Sequence, residues 1–200
     1  MIDAIYDPLV WVLTTGRVHA LRRAILAAAA LQPGEDLLDV GCATGALTAA
    51  ARELGGNTSR VVGVDISEPM LVRARRRAAR AGADVDFTSG RAEKLPFPDD
   101  CFDAVVLSLV VHCMSADQAT QAVTEARRVL RHGGRAVIAD FGRSTGAASR
   151  LRAHLMLHGG VAASAPDLGA LLSAGEFTDV RTQRSPISAL TIARGTRLDD

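Results

Sequence analysis

Short apolar runs recur along the chain and alternate with longer stretches in which apolar residues follow the spacing of a helix. The runs predict five strands, at 36–40, 60–64, 84–88, 102–109 and 135–141. Helices are predicted before and between them, at 17–31, 45–54, 67–82 and 115–130. This alternation predicts an α/β fold with a doubly wound, mostly parallel sheet and helices on both faces.

The end of the chain departs from this alternation. A helix capped by Asp167 and ended by Gly175 is predicted, and two strand-like runs follow it at 177–184 and 187–193. Their close spacing allows an antiparallel C-terminal hairpin but not a helical crossover. Neither a repeat nor a linker is evident, so the sequence predicts one domain over 1–200.

Turn and capping residues punctuate the pattern. Ser67 is predicted to cap the third helix, and Ser115 with Gln118 has the form of a capping box for the fourth. The pair Gly133-Gly134 is predicted to end that helix. Residues 1–31 are predicted to form an N-terminal lid or helix segment. Packing of the apolar stretch 1–15 on the core is the plainer alternative.

Composition narrows the class of protein. The formal net charge is +1, which gives no overall field for binding nucleic acid, and the arginines of 67–82 are explained by a solvated helix face. The three cysteines, Cys42, Cys101 and Cys113, form no C-x-x-C pair, which predicts reduced thiols and a cytoplasmic location. No signal-peptide pattern opens the sequence and no apolar run is long enough to span a bilayer, so neither a signal peptide nor an integral membrane segment is expected.

The clearest chemical signal is the stretch L-L-D-V-G-C-A-T-G at 37–45. A strand, a glycine turn and a helix N-terminus form a cradle for a polar cofactor. About 20 residues further on, Asp65 ends the second predicted strand, where a carboxylate can accept two hydrogen bonds from a ribose diol. A dinucleotide fingerprint, G-x-G-x-x-G, is excluded because Ala43 replaces its second glycine.

Four blocks, LLDVGCATG, VVGVDIS, GRAEKLPFPDDCFDAVV and EARRVLRHGGRAVIADF, occur in order across 32–141. Together they resemble the class I S-adenosylmethionine-dependent methyltransferase family, in the branch of ubiquinone/menaquinone and small-molecule methyltransferases. The resemblance implies a seven-stranded Rossmann-like sheet, with the last strand antiparallel beside strand five. It also implies S-adenosyl-L-methionine as methyl donor and S-adenosyl-L-homocysteine as product.

The resemblance further implies a set of cofactor contacts. The methionine part is expected near Asp39, Gly41, Ala43 and Gly45, and the sulfonium near Ser108 and Leu109. Asp65 is expected to bind the ribose, with Ile66 and Met70 beside the adenine and the backbone of Ala92 at its edge. Arg91 stands where the family often has an aspartate that accepts from the adenine amino group, and an arginine has no acceptor to offer.

Methyl transfer needs a base only when the accepting atom must lose a proton, and His112 is the candidate. A role for His112 in shaping the approach to the next helix is the alternative. Residues expected at the substrate are Tyr6, Trp11, Met114, His154 and His158. The last two lie four residues apart without a nearby third ligand, so no metal site is predicted. An N/D-P-P-Y/F motif is missing after strand four, which disfavours nucleic-acid bases as substrates.

The apolar residues around the expected pocket predict a hydrophobic or amphipathic small molecule, such as a quinone precursor, a lipid or a secondary metabolite, methylated on O, N or C. Two alternatives stay open. The cofactor site can serve non-methyl chemistry such as cyclisation, or the chain can be a non-catalytic partner subunit. The apolar leader also makes a homodimer possible.

Overall fold

The structure is a computed structural model that describes residues 16–55, 60–141, 166–187 and 190–198. Its helices are α1 (Val18–Ala29), α2 (Ala46–Gly55), α3 (Glu68–Ala81), α4 (Ala116–Val129) and α5 (Leu168–Ala174). Its strands are β1 (Leu37–Val40), β2 (Val61–Asp65), β3 (Asp86–Ser89), β4 (Phe102–Ser108), β5 (Leu130–Phe141), β6 (Thr178–Arg184) and β7 (Leu190–Thr196). A 3₁₀ turn, Val111–Cys113, follows β4.

The strands form one seven-stranded sheet in the order β3-β2-β1-β4-β5-β7-β6. The pairs among β1 to β5 are parallel, and β7 lies antiparallel between β5 and β6. The predicted fold class and C-terminal hairpin are therefore confirmed. The chain continues outward from β1 through β2 to β3 and then returns to β4 on the other side of β1. Ligands of such sheets bind at this switch point, beyond the carboxyl ends of the strands.

The sheet is covered on both faces, which explains why its central strands are almost wholly apolar. Leu38, on one face, joins a core cluster with residues of α4 and α5. Leu37, on the other face, joins a cluster with residues of α1 and α2. Both leucines are fully buried. Because successive side chains of β1 enter different clusters, the whole strand is buried and its position is firmly fixed.

Several predicted boundaries are wrong for local reasons. β4 ends at Ser108 because Leu109 takes a left-handed conformation with a φ of +54°. β5 begins directly after α4, at Leu130, so Gly133-Gly134 lies inside the strand and does not end the helix. β7 spans 190–196 and not 187–193, because Ile187 belongs to a turn in which its N–H donates to the Ser185 hydroxyl.

The capping predictions are mostly confirmed. The Ser115 hydroxyl accepts from the Gln118 N–H, and the Gln118 side chain accepts from the Ser115 N–H. Asp167 accepts from the Ala170 N–H at the start of α5. The prediction for Ser67 is wrong, because its side chain makes no capping hydrogen bond. All three cysteines are free thiols, as predicted.

The search for membrane-spanning helices applies to the described part of the chain alone. None of its helices is long and apolar enough to cross a membrane. Tyr6, Trp11, His154 and His158 fall outside the described residues, and so do residues 1–15 of the lid or helix segment predicted at 1–31. Those expectations remain predictions, as does the single domain over 1–200.

Candidate active site

A glycine turn after β1 is the structural centre of the site. The N–H groups of Gly41 and Cys42 both donate to the carbonyl of Val64 on β2. Gly41 has a φ of +72°, a left-handed conformation that costs a side-chain-bearing residue energy. A Cβ atom at Gly41 would also lie 2.6 Å from a Val110 methyl group. This turn therefore requires glycine at 41, for both its conformation and its space.

Asp65 links that turn to the next helix. Its Oδ2 accepts from the Ala43 N–H at 2.8 Å, and its Oδ1 accepts from the Ser67 N–H at 2.8 Å. A carboxylate oxygen has two lone pairs, so each oxygen retains one for another donor. Asp65 is thus both a brace for the turn and, at the half-buried end of β2, an acceptor for a hydroxyl-bearing ligand.

Asp39 lies beneath the turn and is buried. Its Oδ2 accepts from the Thr48 hydroxyl of α2 at 2.7 Å. Burial disfavours the charged form and raises the pKa of Asp39 to about 6, although the Thr48 bond opposes the rise and the nearby Asp65 charge adds to it. Asp39 therefore changes its charge just below neutral pH.

Two clefts flank the turn, and Gly41 lines both of them. We define the inner cleft by Arg22, Asp39, Ala43, Ser108 and Leu109. We define the outer cleft by Asp65, Ile66, Arg91, Ala92 and Glu93. The structure thus brings most of the predicted cofactor residues together in two groups, one on each side of the turn. Ile66, at 63% exposure, presents an open apolar surface at the outer cleft.

Two predicted cofactor residues line neither cleft. Met70 is buried in the side of α3 that packs on the sheet. Gly45 has a φ of +69°, and a Cβ there would lie 2.7 Å from the ring of Phe87 and 2.8 Å from Ala74. Close packing of α2, α3 and β3 therefore explains the glycine at 45.

The outer cleft contains an acceptor that the sequence analysis did not identify. The guanidinium of Arg91 pairs with the Glu93 carboxylate at 3.1 Å, and Glu93 also accepts from the Gln118 side chain at 2.8 Å. Arg91 itself offers no acceptor, but the carboxylate held beside it does. Arg22 of α1, a cation that lines the inner cleft, was also not predicted from the sequence. Its only signal in the sequence is a position on the helix that precedes β1.

His112 is held by a buried carboxylate at the end of β5. Its ring Nδ1 lies 2.8 Å from Asp140 Oδ1, and its backbone N–H donates to Asp140 Oδ2 at 3.1 Å. Burial alone would lower the pKa of His112, but the hydrogen bond and charge of Asp140, with a contribution from Cys113, raise it to about 10. The ring therefore favours its protonated form. Met114, two residues further on, lines the outer cleft.

Within the part of the chain that the structure describes, His, Cys, Asp and Glu residues form no group of three or more that could hold a metal ion. This finding does not reach His154 and His158, which lie outside that part. The prediction of no metal site at that pair stays a prediction.

Comparison with known proteins identifies the family. The family model described as "Methyltransferase domain" matches residues 37–134, which include β1 to β4 and the glycine turn. The demethylmenaquinone methyltransferase of Symbiobacterium thermophilum is 36% identical over 132 residues, covering 65% of this chain and 52% of that protein. This chain belongs to the class I S-adenosylmethionine-dependent methyltransferase family. The predicted family is thus confirmed, and with it S-adenosylmethionine as the cofactor that membership implies.

A second relative of this methyltransferase chain is the ubiquinone/menaquinone biosynthesis C-methyltransferase of Burkholderia mallei. It is 34% identical over 138 residues, covering 69% of this chain and 56% of that protein. The chain spans about half the length of the curated relatives it matches.

Solved structures show the same fold at lower identity. The putative methyltransferase in a complex with the Haloferax volcanii Trm112 methyltransferase activator has a TM-score of 0.78 at 17% identity, covering 100% of this chain and 99% of that one. The [4+2]-cyclase SpnF has a TM-score of 0.76 at 17% identity, covering 100% of this chain and 95% of that one. Because the sequence identity is only 17% in both cases, these two comparisons show a shared fold and nothing more.

Proposed function

We propose that the chain binds S-adenosylmethionine across the inner and outer clefts and transfers its methyl group to an apolar or amphipathic small molecule. The observation that carries the proposal is the pair of clefts that meet at Gly41, each with a carboxylate from a neighbouring strand end. Asp65 suits a ribose diol, and Asp39 suits the cationic end of an amino acid.

The residues of the two clefts fit the two halves of the cofactor. In the outer cleft, Ile66 offers an apolar surface to the adenine, and Ala92 and Glu93 offer acceptors at its polar edge. In the inner cleft, Arg22 offers a cation to the carboxylate of the amino acid, while the backbone at Ala43 approaches closely. Ser108 and Leu109, where β4 ends, are the proposed neighbours of the sulfonium.

The cofactor supplies an activated methyl group, so the protein has to align the acceptor and keep water away. The residues that we propose on the acceptor side include two that the structure describes, His112 and Met114. The others lie outside the described residues: Tyr6, Trp11, His154 and His158. The two relatives carry names that refer to menaquinone and ubiquinone. A quinol is therefore the first acceptor that we would assay. A highly charged acceptor such as a nucleotide would be assayed for comparison.

Calorimetric titration tests the cofactor proposal. We expect S-adenosylmethionine and S-adenosylhomocysteine to bind the wild type with micromolar affinity, and Asp65→Asn to weaken both by about 10- to 100-fold. The expected loss corresponds to about 1.5–3 kcal/mol for hydrogen bonds to a charged group. An amide also carries an N–H₂ group that opposes the N–H of Ala43 or of Ser67.

The matched control is Asp167→Asn, which alters another carboxylate that accepts from a backbone N–H, at the start of α5. It should leave cofactor affinity unchanged. If the wild type does not bind S-adenosylmethionine, or if Asp167→Asn weakens binding as much as Asp65→Asn does, the proposed site is wrong.

A further inference from the structure

The contact between His112 and Asp140 is more extensive than a single ion pair. Asp140 Oδ1 lies 2.8 Å from the His112 ring Nδ1 and accepts from the Phe141 N–H at 2.7 Å. Asp140 Oδ2 accepts from the His112 backbone N–H at 3.1 Å. Both oxygens therefore fix the same histidine, one through its ring and the other through its backbone. The Phe141 ring meets the imidazole edge to face, with centroids 5.1 Å apart.

This pair lies next to residues that line the two clefts. His112 belongs to the 3₁₀ turn after β4, and Asp140 is near the end of the neighbouring strand β5. Leu109, before the turn, lines the inner cleft, and Cys113, within it, lines the outer cleft. The histidine side chain is 19% exposed, whereas the Asp140 side chain is fully buried. The imidazole is thus the partly exposed member of the pair, in a turn whose neighbouring residues line both clefts.

A fully buried carboxylate needs a cation or several donors close to it. Asp140 has two backbone N–H donors and the His112 ring Nδ1 close to it, and its negative charge favours the protonated ring. Nδ1 is taken up by that contact. This leaves Nε2 as the second ring donor. In the described residues, the titratable groups that most affect the pKa of His112 are Asp140 on β5 and Cys113 in its own turn. A protonated imidazole cannot accept a proton, so its surroundings favour a role other than that of a base.

We propose that Asp140 is a positioning residue that holds His112 as an imidazolium, and that His112 Nε2 binds the ionised oxygen of an acceptor with an acidic hydroxyl group, such as a phenol or an enol. This inference rests on the proposed function and narrows its acceptor class. An amine acceptor reacts as the neutral amine, which brings no negative charge to pair with the imidazolium, and its protonated form is repelled.

The charge and electron balance of this step is simple. The hydroxyl proton leaves to solvent when the acceptor binds, and the imidazolium keeps its own proton. An electron pair of the oxyanion forms the bond to the methyl carbon, while the pair of the carbon–sulfur bond passes to sulfur. An anion and a sulfonium thereby become a neutral ether and a neutral thioether. Because the reacting charges cancel, an apolar pocket favours this step over the solvated reactants.

A binding measurement tests the inference without turnover. The probe is 4-nitrophenol, whose phenolate absorbs visible light, titrated against pH in the presence of protein saturated with S-adenosylhomocysteine. We expect the pKa of the bound probe to fall by about one unit or more, because a nearby opposite charge favours the ionised form by that amount. His112→Gln should abolish the shift. His132→Gln, at a histidine on β5 beside Arg197, should leave it unchanged.

Asp140→Asn separates a positioning role from a merely structural one. Without the carboxylate, His112 is expected to lose its proton near its ordinary pKa of about 6.5. The preference for phenolate should then persist below that pH and disappear above it, whereas the wild type keeps it through neutral pH. If Asp140→Asn does not fold, the wild type and His112→Gln still decide the matter.

Three outcomes overturn the inference: a bound probe with an unchanged or raised pKa, a shift that survives in His112→Gln, or no probe binding to a complex that does hold the cofactor product. All three leave the proposed cofactor function standing. That function fails separately, if calorimetry shows no binding of S-adenosylmethionine to the wild type.

Discussion

Asp39 shows how one buried side chain can link cofactor binding to pH. Its carboxylate is enclosed beneath the glycine turn, with the Thr48 hydroxyl as its hydrogen-bond donor. Enclosure favours the protonated form, and a cation in the inner cleft favours the ionised form. The two states of Asp39 therefore differ in their affinity for a positively charged ligand, and protons compete with that ligand.

The affinity for S-adenosylmethionine should consequently rise with pH up to about 6, the pKa of Asp39, and then level off. Calorimetry between about pH 5 and pH 7 checks this, because a linked proton changes affinity by up to about tenfold per pH unit. Asp39→Asn should flatten the profile. Thr48→Val, which removes the bond that lowers the pKa, should move its midpoint upward. A wild-type affinity that is constant over this range would contradict the role of Asp39.

His112 gives a second prediction, on stability. Its pKa is 6.5 for an unperturbed histidine, as in the unfolded chain, and about 10 in the folded protein. Between these values the folded state holds a proton that the unfolded state has lost. The stabilisation by the His112–Asp140 pair is therefore complete below about pH 6.5 and is lost as the pH rises through about 10.

The free energy of unfolding of the wild type should fall over that range relative to His112→Gln. Urea unfolding at about pH 6, 8 and 10 measures the difference. Parallel pH profiles of the two proteins would mean that His112 is neutral in the folded state.

At the scale of elements, the glycine turn joins β1, β2 and the two helices that follow them. Its backbone is held by Val64 on one side and by Asp65 on the other. Gly41 has no Cβ, and the space where one would lie is filled by Val110. The turn thus depends on contacts with the end of β2 and with the segment that follows β4, and together these determine its conformation.

Gly41→Ala should lower stability by about 1–2 kcal/mol for the left-handed backbone, and by about 1–3 kcal/mol more for the collision with Val110. The matched control is Gly82→Ala, at the end of α3. Its φ of +63° is similar, but no atom lies within 4 Å of the added Cβ. It should show the backbone cost alone and retain cofactor affinity. Urea unfolding and calorimetry measure both effects, and equal losses in the two variants would contradict the packing argument.

The parts of the fold that the sequence predicted well are those determined by local pattern. β1 and β2 are buried on both faces, so their apolar runs were visible, and the Ser115–Gln118 capping box lies within four residues. The end of β4 at Ser108 depends on the left-handed backbone of Leu109, which the composition does not signal. The start of β5 at Leu130 was hidden by two glycines that are typical of turns.

The site was predictable to the extent that its residues are close in sequence. Asp39, Gly41 and Asp65 follow from strand ends and a glycine turn. Glu93 and Asp140 do not, because their roles come from partners brought near by the sheet. His112 and Asp140 are 28 positions apart and meet because β4 and β5 are neighbours. The prediction of His112 as a base was made without knowledge of the buried carboxylate that lies beside it.

At the scale of the whole molecule, the two ends of the strands carry different kinds of residue. The carboxyl ends of the strands carry the candidate site. The amino-end side carries ion pairs that join distant elements: Arg131 with Asp36 and Asp103, Arg135 with Glu35, and Arg197 with Asp100. Arg135, which is buried on β5, also donates to the carbonyls of Ala29 and Ala30 at the end of α1. It thereby ties that helix to the sheet.

Arg135→Met should cost about 2–4 kcal/mol, because it leaves the α1 carbonyls and the Glu35 carboxylate without their shared donor. Arg181→Met is the matched control, since Arg181 pairs with Asp179 on the exposed strand β6. An exposed pair contributes at most about 1 kcal/mol. Urea unfolding compares the two variants, and a similar small loss in both would show that the buried contacts of Arg135 contribute little.

The two clefts share Gly41 but otherwise have different walls. A molecule that fills both must be continuous across this residue, and each half of it contacts its own set of side chains. Once one half is bound, the other is confined near its cleft at an effective concentration in about the millimolar range. On the proposed assignment, free adenosine and free methionine are thus weak ligands. The covalent link between them, more than the strength of either contact, is what lets the chain recognise its cofactor among the cell's many nucleosides and amino acids.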